Sequence, residues 1–395
     1  MPKGKPEFPM RMKMFSAVFF GVALFTGAVF AQTPAPAFDT KAKQILLVDA
    51  ETGTVLFSRA ENQPIPPASL AKLMTMEVVA EALGKGELSA ETTFEVSEHA
   101  WRTGGAPAGT STMFAALKSR IRVADLLQGV AVQLANDACI ILAEGMTGNE
   151  GAFAERMTAR ARELGMPVAT FRNATGLPDP GNQITMSELV TLIRHLHEAH
   201  PDLYRLYSQP EFEWNKILQR NKNPLIAANI GVDGLATGFA EGFGFSLAAS
   251  LQRGDRRVYL AMAGLETDKE RIEESRKVLD WAMTAFEKKR IFADGEAIGE
   301  AAVYGGDAAH VALVASGPVD VLLPVDNPER LTARIVYKWP LRAPVTAGTE
   351  VGVVKLWNGE KLLREVPVKT ASAVGQGTLT SRALDALQEL LFFWI

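Results

Sequence analysis

Two strand-length apolar runs within QILLVDAETGTVLFSRAEN flank Glu51-Thr52-Gly53 and read as a β-hairpin. The same period of two returns only past Gly231, where GFSLAASLQ and RVYLAMAGL bracket the turn RGDR as a second hairpin. The residues between are patterned as helices. From Ser69, Leu70, Leu73, Met74 and Val78 keep helical spacing until Gly84 and Gly86 end it. RVADLLQGVAVQLANDACIILAEGM, NEGAFAERMTARARELGM and TMSELVTLIRHLHEAH continue the pattern, punctuated by Gly, Asn and Pro. Strands at both ends of a helical stretch point to one sheet that joins them, so residues 41–290 are predicted to form a single α+β domain. A helix over about Asp268–Lys288 closes it.

Beyond it the texture changes again. From Ile291 to about residue 371, short runs such as VALVAS, VDVLLPV, LTARIVY and VGVVKLW keep a period near two, which predicts a separate small all-β domain. The tail over 378–395 returns to helix, with Leu384, Leu387, Leu391 and Ile395 on one face and Phe392, Phe393 and Trp394 at its end. That pattern fits an amphipathic helix lying in a membrane interface. At the other terminus, Lys3, Lys5, Arg11 and Lys13 precede the apolar run Phe15–Ala31, with Val29 and Ala31 supplying small residues for cleavage. Residues 1–31 therefore read as a signal peptide and 32–40 as a flexible Pro/Ala-rich leader. The expectation is export to the periplasm and association with the outer face of the cytoplasmic membrane.

Composition narrows the function classes. Of 395 residues, 47% are hydrophobic and 22% charged, and the net charge of −4 leaves no basic footprint for nucleic acid. One cysteine, Cys139, excludes an intramolecular disulfide and sits in the apolar ACIILAEGM as a buried structural thiol.

The chemistry concentrates in PPASLAKLMT, where Ser69 and Lys72 stand three residues apart at a helix start. A serine hydroxyl needs a base within hydrogen-bond reach, and position i+3 lies on the same face one turn along. The positive helix end and burial among Leu70, Leu73 and Met76 both disfavour a charged ammonium, which pushes Lys72 toward the neutral base it must become. Alone, such a pair is weak evidence, because roughly one occurs by chance in a chain of this length.

Ser-x-x-Lys, the downstream Asn-Asp of QLANDAC and the Thr-Gly of DGLATGFAEGFG occur in the order of penicillin-recognising serine enzymes. With ENQPIPPASLAKLMT, SEHAWRTGGAPAGTSTMF, FRNATGLPDPG and NKNPLIAANIGVDGL, the chain resembles the D-alanyl-D-alanine carboxypeptidases among low-molecular-mass penicillin-binding proteins. The resemblance implies a penicillin-binding, β-lactamase-like transpeptidase domain, an antiparallel sheet flanked by a helical cluster. It implies Ser69 as acyl-ester nucleophile, Lys72 as proton acceptor and Asn136 as the group that binds the substrate amide. Thr237 and Gly238 would flank the cleft, with Thr237 on the peptide carboxylate. The N–H groups of Ser69 and Phe239 would form the oxyanion hole. The implied substrate is a peptidoglycan pentapeptide ending in D-Ala-D-Ala, with β-lactams as acylating inhibitors and no cofactor.

Two positions depart from the pattern: Leu134 stands where the family has the serine of Ser-x-Asn, and Ala236 where it has the lysine of Lys-Thr-Gly. Leucine cannot relay a proton and alanine cannot orient a carboxylate. Loss of one preorganised polar group costs on the order of 10²-fold in rate, so impaired turnover is expected. The alternatives are a non-catalytic wall-binding or scaffold homologue and, against the appended β domain and tail, a β-lactamase. Lys118, Arg120 and Arg122 are near enough in sequence to be imagined in the cleft. In RHLHEAH, helical spacing separates His195 from His197 but lets His197 and His200 share a face; the patterns of zinc hydrolases are absent, and no metal is expected.

Overall fold

The computed structural model describes residues 38–325 and 331–379. The signal-peptide and terminal-helix expectations lie outside the described residues. The chain divides into Met1–Asp39, of which only Phe38 and Asp39 are described, and the unit Thr40–Ile395 that carries everything below.

The two predicted hairpins meet in one antiparallel sheet, in the order Val55–Arg59, Gln44–Asp49, Arg256–Leu265, Gly244–Arg253, Val232–Ala240. The join is made by Gln44–Asp49 against Arg256–Leu265, with Ile45 opposite Met262 and Leu47 opposite Leu260. Both faces of these strands are buried. Leu46, Val48 and Ala261 belong to a core shared with the helices. The helix Asp268–Thr284 covers the other face, its Ser275 hydroxyl reaching Met262 Sδ at 3.3 Å. Burial on two sides is why these strands read as near-continuous apolar runs rather than as clean alternation.

At the centre of the helical layer runs Lys72–Gly84, buried from Lys72 through Ala80 and again at Ala82. A helix with no polar face is a core helix, and the helices Val123–Gln133, Asn136–Thr147, Glu150–Glu163 and Met186–Ala199 pack around it. Met186–Ala199 starts with a capping box, Thr185 Oγ1 accepting from Glu188 N and the Glu188 carboxylate accepting from Thr185 N.

The closing helix is shorter than expected. It ends at Thr284, and Phe286–Phe292 is a strand paired with Val319–Pro324. The expected boundary at 290/291 falls inside that strand. The β-rich part holds a six-stranded sheet, in the order Leu331–Tyr337, Glu350–Asn358, Lys361–Thr370, His310–Ala315, Ala297–Tyr304, Leu341–Arg342, around Leu313, Val354, Leu356 and Val368. Lys361 ties it to the first sheet by donating to the Leu56 carbonyl at 2.5 Å. Among the described residues no helix is long and apolar enough to cross a membrane.

Candidate active site

Ser69 does not open an α-helix directly. It lies in a 3₁₀ turn, Ala68–Ala71, and the α-helix begins at Lys72. The tighter winding matters because a 3₁₀ turn eclipses residues i and i+3, which stacks residue 72 over residue 69. Lys72 Nζ donates to Ser69 Oγ at 3.0 Å. The turn is entered through Pro67 and then Ala68, whose φ of 48° is left-handed, a conformation that costs an L-residue about 1–2 kcal/mol.

Lys72 is 1% exposed and also donates to the Thr175 carbonyl at 2.6 Å. Both acceptors are neutral. Burial therefore dominates and brings its ammonium down to about 8, poised to give up its proton near neutral pH. The Cys139 thiol close by is pushed up to about 12, mainly by burial, and stays protonated, as expected of a structural cysteine.

The loop carrying Thr175 is braced from within. Asn173 Oδ1 accepts from Thr175 N at 3.3 Å, Thr175 Oγ1 at 3.0 Å and Gly176 N at 2.7 Å. Thr75 on the helix Lys72–Gly84 donates to the Ala174 carbonyl at 2.7 Å, and Ala174 N donates to Glu150 at 2.9 Å. Neither the Thr175 carbonyl as a partner of Lys72 nor this bracing was foreseen from the sequence. The Asn-Ala-Thr-Gly run does carry the signature of an Asx turn, a side-chain oxygen gathering the N–H groups that follow it.

Asn136 begins the helix Asn136–Thr147, which packs on the helix Lys72–Gly84. Its Nδ2 donates to Thr110 Oγ1 at 3.0 Å, while its buried Oδ1 accepts no hydrogen bond from the described residues. The next residue, Asp137, accepts from Thr112 Oγ1 at 2.6 Å and from Met113 N and Ala115 N at 3.0 Å each. Together they pin the loop GTSTMFA over the helix start.

The third element is the edge strand Val232–Ala240. Thr237 is buried opposite Leu247, and Gly238 faces the turn Ala68–Ala71: a Cβ there would lie 2.6 Å from Ser246 Oγ and 3.4 Å from Ala68 Cβ. A side chain there would have to turn the Ser246 hydroxyl aside and would rest in van der Waals contact with Ala68. Phe239 follows it, 56% exposed, its ring 4.7 Å from that of Phe245.

The departing residues are apolar in fact as well as in type. Leu134 sits between two helices at φ 51° and is packed in the core, as is Ala236 opposite Ala248. Arg120 and Arg122 do not reach across; Arg120 donates to Thr93, and Arg122 pairs with Asp125 and Glu91 on a surface hairpin. The histidine reading needs correction too. His197 Nδ1 meets the Tyr259 hydroxyl at 2.8 Å, and it is His195 that joins His200, on the buried carboxylate of Glu77.

Residues 29–267 match the family model described as D-alanyl-D-alanine carboxypeptidase, and residues 286–376 match that of the penicillin-binding protein 5 C-terminal domain. The chain belongs to the D-alanyl-D-alanine carboxypeptidase family. It is 34% identical over 376 residues to D-alanyl-D-alanine carboxypeptidase DacD of Salmonella typhimurium, covering 94% of this chain and 96% of that one. Penicillin-binding protein 5 from Haemophilus influenzae superposes with a TM-score of 0.73 at 31% identity, over 87% of this chain and all of that one. Penicillin-binding protein D2 from Listeria monocytogenes, solved with ampicillin bound, superposes with a TM-score of 0.56 at 27% identity, over 63% of this chain and all of that one. By family the protein is a serine-type D-Ala-D-Ala carboxypeptidase with the penicillin-binding fold, the activity and fold that the Ser-x-x-Lys resemblance implies.

Proposed function

We propose that Ser69 is the nucleophile through which this carboxypeptidase trims peptidoglycan stem peptides, and that Lys72 is its base. The observation that carries the reading is the 3.0 Å contact between Ser69 Oγ and the buried Nζ of Lys72. Neutral Lys72 takes the Ser69 proton as Oγ attacks the carbonyl of the penultimate D-alanine. The oxyanion forms against the N–H groups of Ser69 and Phe239, and terminal D-alanine leaves with a proton on its amine. Water then attacks the acyl-ester, with Lys72 again accepting the proton. Asn136 holds the substrate amide, and Thr237 with Gly238 flanks its carboxylate end.

β-Lactams would acylate the same serine by ring opening, in keeping with the ampicillin-bound Listeria relative. The apolar run over residues 15–31 and the amphipathic pattern over 378–395 suit an exported protein held at the periplasmic face of the membrane.

Turnover is proposed to be reduced, because Leu134 and Ala236 supply neither the hydroxyl that relays a proton to the leaving amine nor the ammonium that orients the carboxylate. The same two residues favour a second reading, a wall-binding protein that retains the cleft without turnover. A fluorescent penicillin separates the readings. Covalent label mapped to Ser69 and lost in Ser69→Ala is expected, together with measurable D-alanine release from a pentapeptide. Equal labelling of Ser69→Ala would sink the assignment of the nucleophile, and label without release would favour the second reading.

A further inference from the structure

We propose that Glu77, His195 and His200 form a binding site for a divalent transition-metal ion of the zinc type, bracing the helix that carries Lys72. The donor geometry carries the argument. Glu77 Oε1 lies 3.2 Å from His195 Nε2, and Glu77 Oε2 lies 3.3 Å from His200 Nε2. The three residues can each offer a donor atom within 4.8 Å of the others. Donors at zinc–ligand distances of about 2.0–2.1 Å span a tetrahedron edge of about 3.3 Å, which the spacing of Glu77 Oε2 and His200 Nε2 matches.

Two of these atoms are also orphans. Glu77 Oε2 and His200 Nε2 are both buried, and among the described residues neither makes a well-formed hydrogen bond, although the two stand 3.3 Å apart at ion-pair distance. Buried polar atoms are ordinarily satisfied, and a carboxylate oxygen facing an imidazole nitrogen at that distance can take a shared ion between them as well as a proton on the imidazole. Glu77 is fully buried while the two histidines are partly open to solvent, so an ion has a route in from the histidine side.

The surroundings suit a cation. Arg160 contacts Glu77, Glu81 and Glu163, and Lys85 contacts Glu81, so three carboxylates face two side-chain cations. Arg160 holds Glu77 Oε1 through Nε at 3.0 Å and Nη2 at 2.9 Å, which leaves Oε2 for the ion and makes Arg160 the outer partner that orients the ligand. Arg160 Nη2 also stands 3.4 Å from His195 Nε2, and that contact gives way when the histidine lone pair turns to the ion. Glu77 is five residues along the helix from Lys72, while His195 and His200 belong to the neighbouring helix Met186–Ala199 and its C-cap. The ion would therefore staple the two helices and has no part in bond breaking.

The test is zinc uptake by the full chain after chelator treatment, followed by competition with a chromophoric chelator, thermal unfolding and X-ray absorption. One Zn²⁺ per chain, a rise in Tm and a shell of two imidazole nitrogens with carboxylate oxygen are expected. Glu77→Gln removes a buried charge and can fail to fold, so the deciding variants are His195→Gln and His200→Gln at the open side. Each should lower zinc affinity by about 100-fold or more while leaving the fold and the penicillin labelling intact. Native protein that takes up no zinc at micromolar concentrations, or two histidine variants that bind zinc as the native chain does, would overturn the proposal. The second result would place any zinc elsewhere, for example at His99 and Glu150, which lie 3.3 Å apart.

Discussion

Gly176 packs so closely under Ala68 that a Cβ at position 176 would lie 1.7 Å from the Ala68 carbonyl oxygen. Its φ of 74° is a left-handed value that an L-residue adopts only at a cost. Gly176→Ala therefore faces two penalties at once, backbone strain of about 1 kcal/mol and a clash with main-chain atoms that cannot rotate away. The turn that yields is the one bearing Ser69. Expected are a loss of more than about 2 kcal/mol in denaturant unfolding and at least a tenfold slower penicillin labelling. Native-like labelling by Gly176→Ala would show that the turn does not need this support.

As the proposed base, Lys72 should give the labelling reaction its pH dependence. Burial lowers its ammonium to about 8, so the neutral base is the minor form at pH 7 and the major form by pH 9. The acylation rate should rise with pH through this range and level off above it, with Ser69→Ala as the blank for alkaline β-lactam hydrolysis. A rate that is flat from pH 6.5 to 9.5, or that falls, contradicts the assignment of Lys72 as the base. Lys72→Arg should be silent throughout, because a guanidinium does not deprotonate in this range.

How much of this was legible follows from the distance over which each contact acts. The Ser69–Lys72 pair could be read because three residues of any right-handed helix bring the two side chains together. The sheet could be read because unpaired strands at 44–58 and 244–265 had nowhere else to go. The Thr175 carbonyl could not be read, since 103 residues separate it from Lys72 and spacing says nothing about which loop folds over a helix. The histidines mislead for a local reason. Helical spacing pairs His197 with His200, but His200 is the C-cap, with φ −129° and ψ 54°, so the period that would align them has already ended. The helix from Asp268 stops at Thr284 because Phe286–Phe292 finds a partner in Val319–Pro324, a contact invisible to a local pattern.

Asp137 should matter more to stability than its neighbour Asn136. Its fully buried carboxylate gathers the Thr112 hydroxyl and the N–H groups of Met113, Ala115 and Ala138. Removing it strands those donors, each at about 1–3 kcal/mol if buried and unsatisfied. Asp137→Ala is expected to cost at least about 3 kcal/mol in unfolding, near the limit of what a domain tolerates. Asn136→Ala should instead leave stability within about 1 kcal/mol and slow acylation on the order of 10²-fold, since its orphaned Oδ1 is the atom available to a substrate amide. Chemical denaturation alongside labelling rates separates the two, and a reversal of this order would contradict the division of labour.

The reciprocal experiment restores what the family pattern has and this chain lacks. Leu134 is 5% exposed, lies in the shared core and has a left-handed φ that serine, which keeps a Cβ, does not relieve, so Leu134→Ser should cost about 2–5 kcal/mol. Ala236→Lys must place an ammonium where a methyl now packs opposite Ala248, and stability should fall again. Against those losses, the double variant regains a hydroxyl for proton relay and a charge for the peptide carboxylate. Release of D-alanine should rise on the order of 10²-fold over the native chain, with each single variant well short of that, because residues acting in one relay do not contribute additively. Equal release rates from the native protein and the double variant would mean that Leu134 and Ala236 do not limit turnover, and that Lys72 returns the proton to the leaving amine without the missing relay.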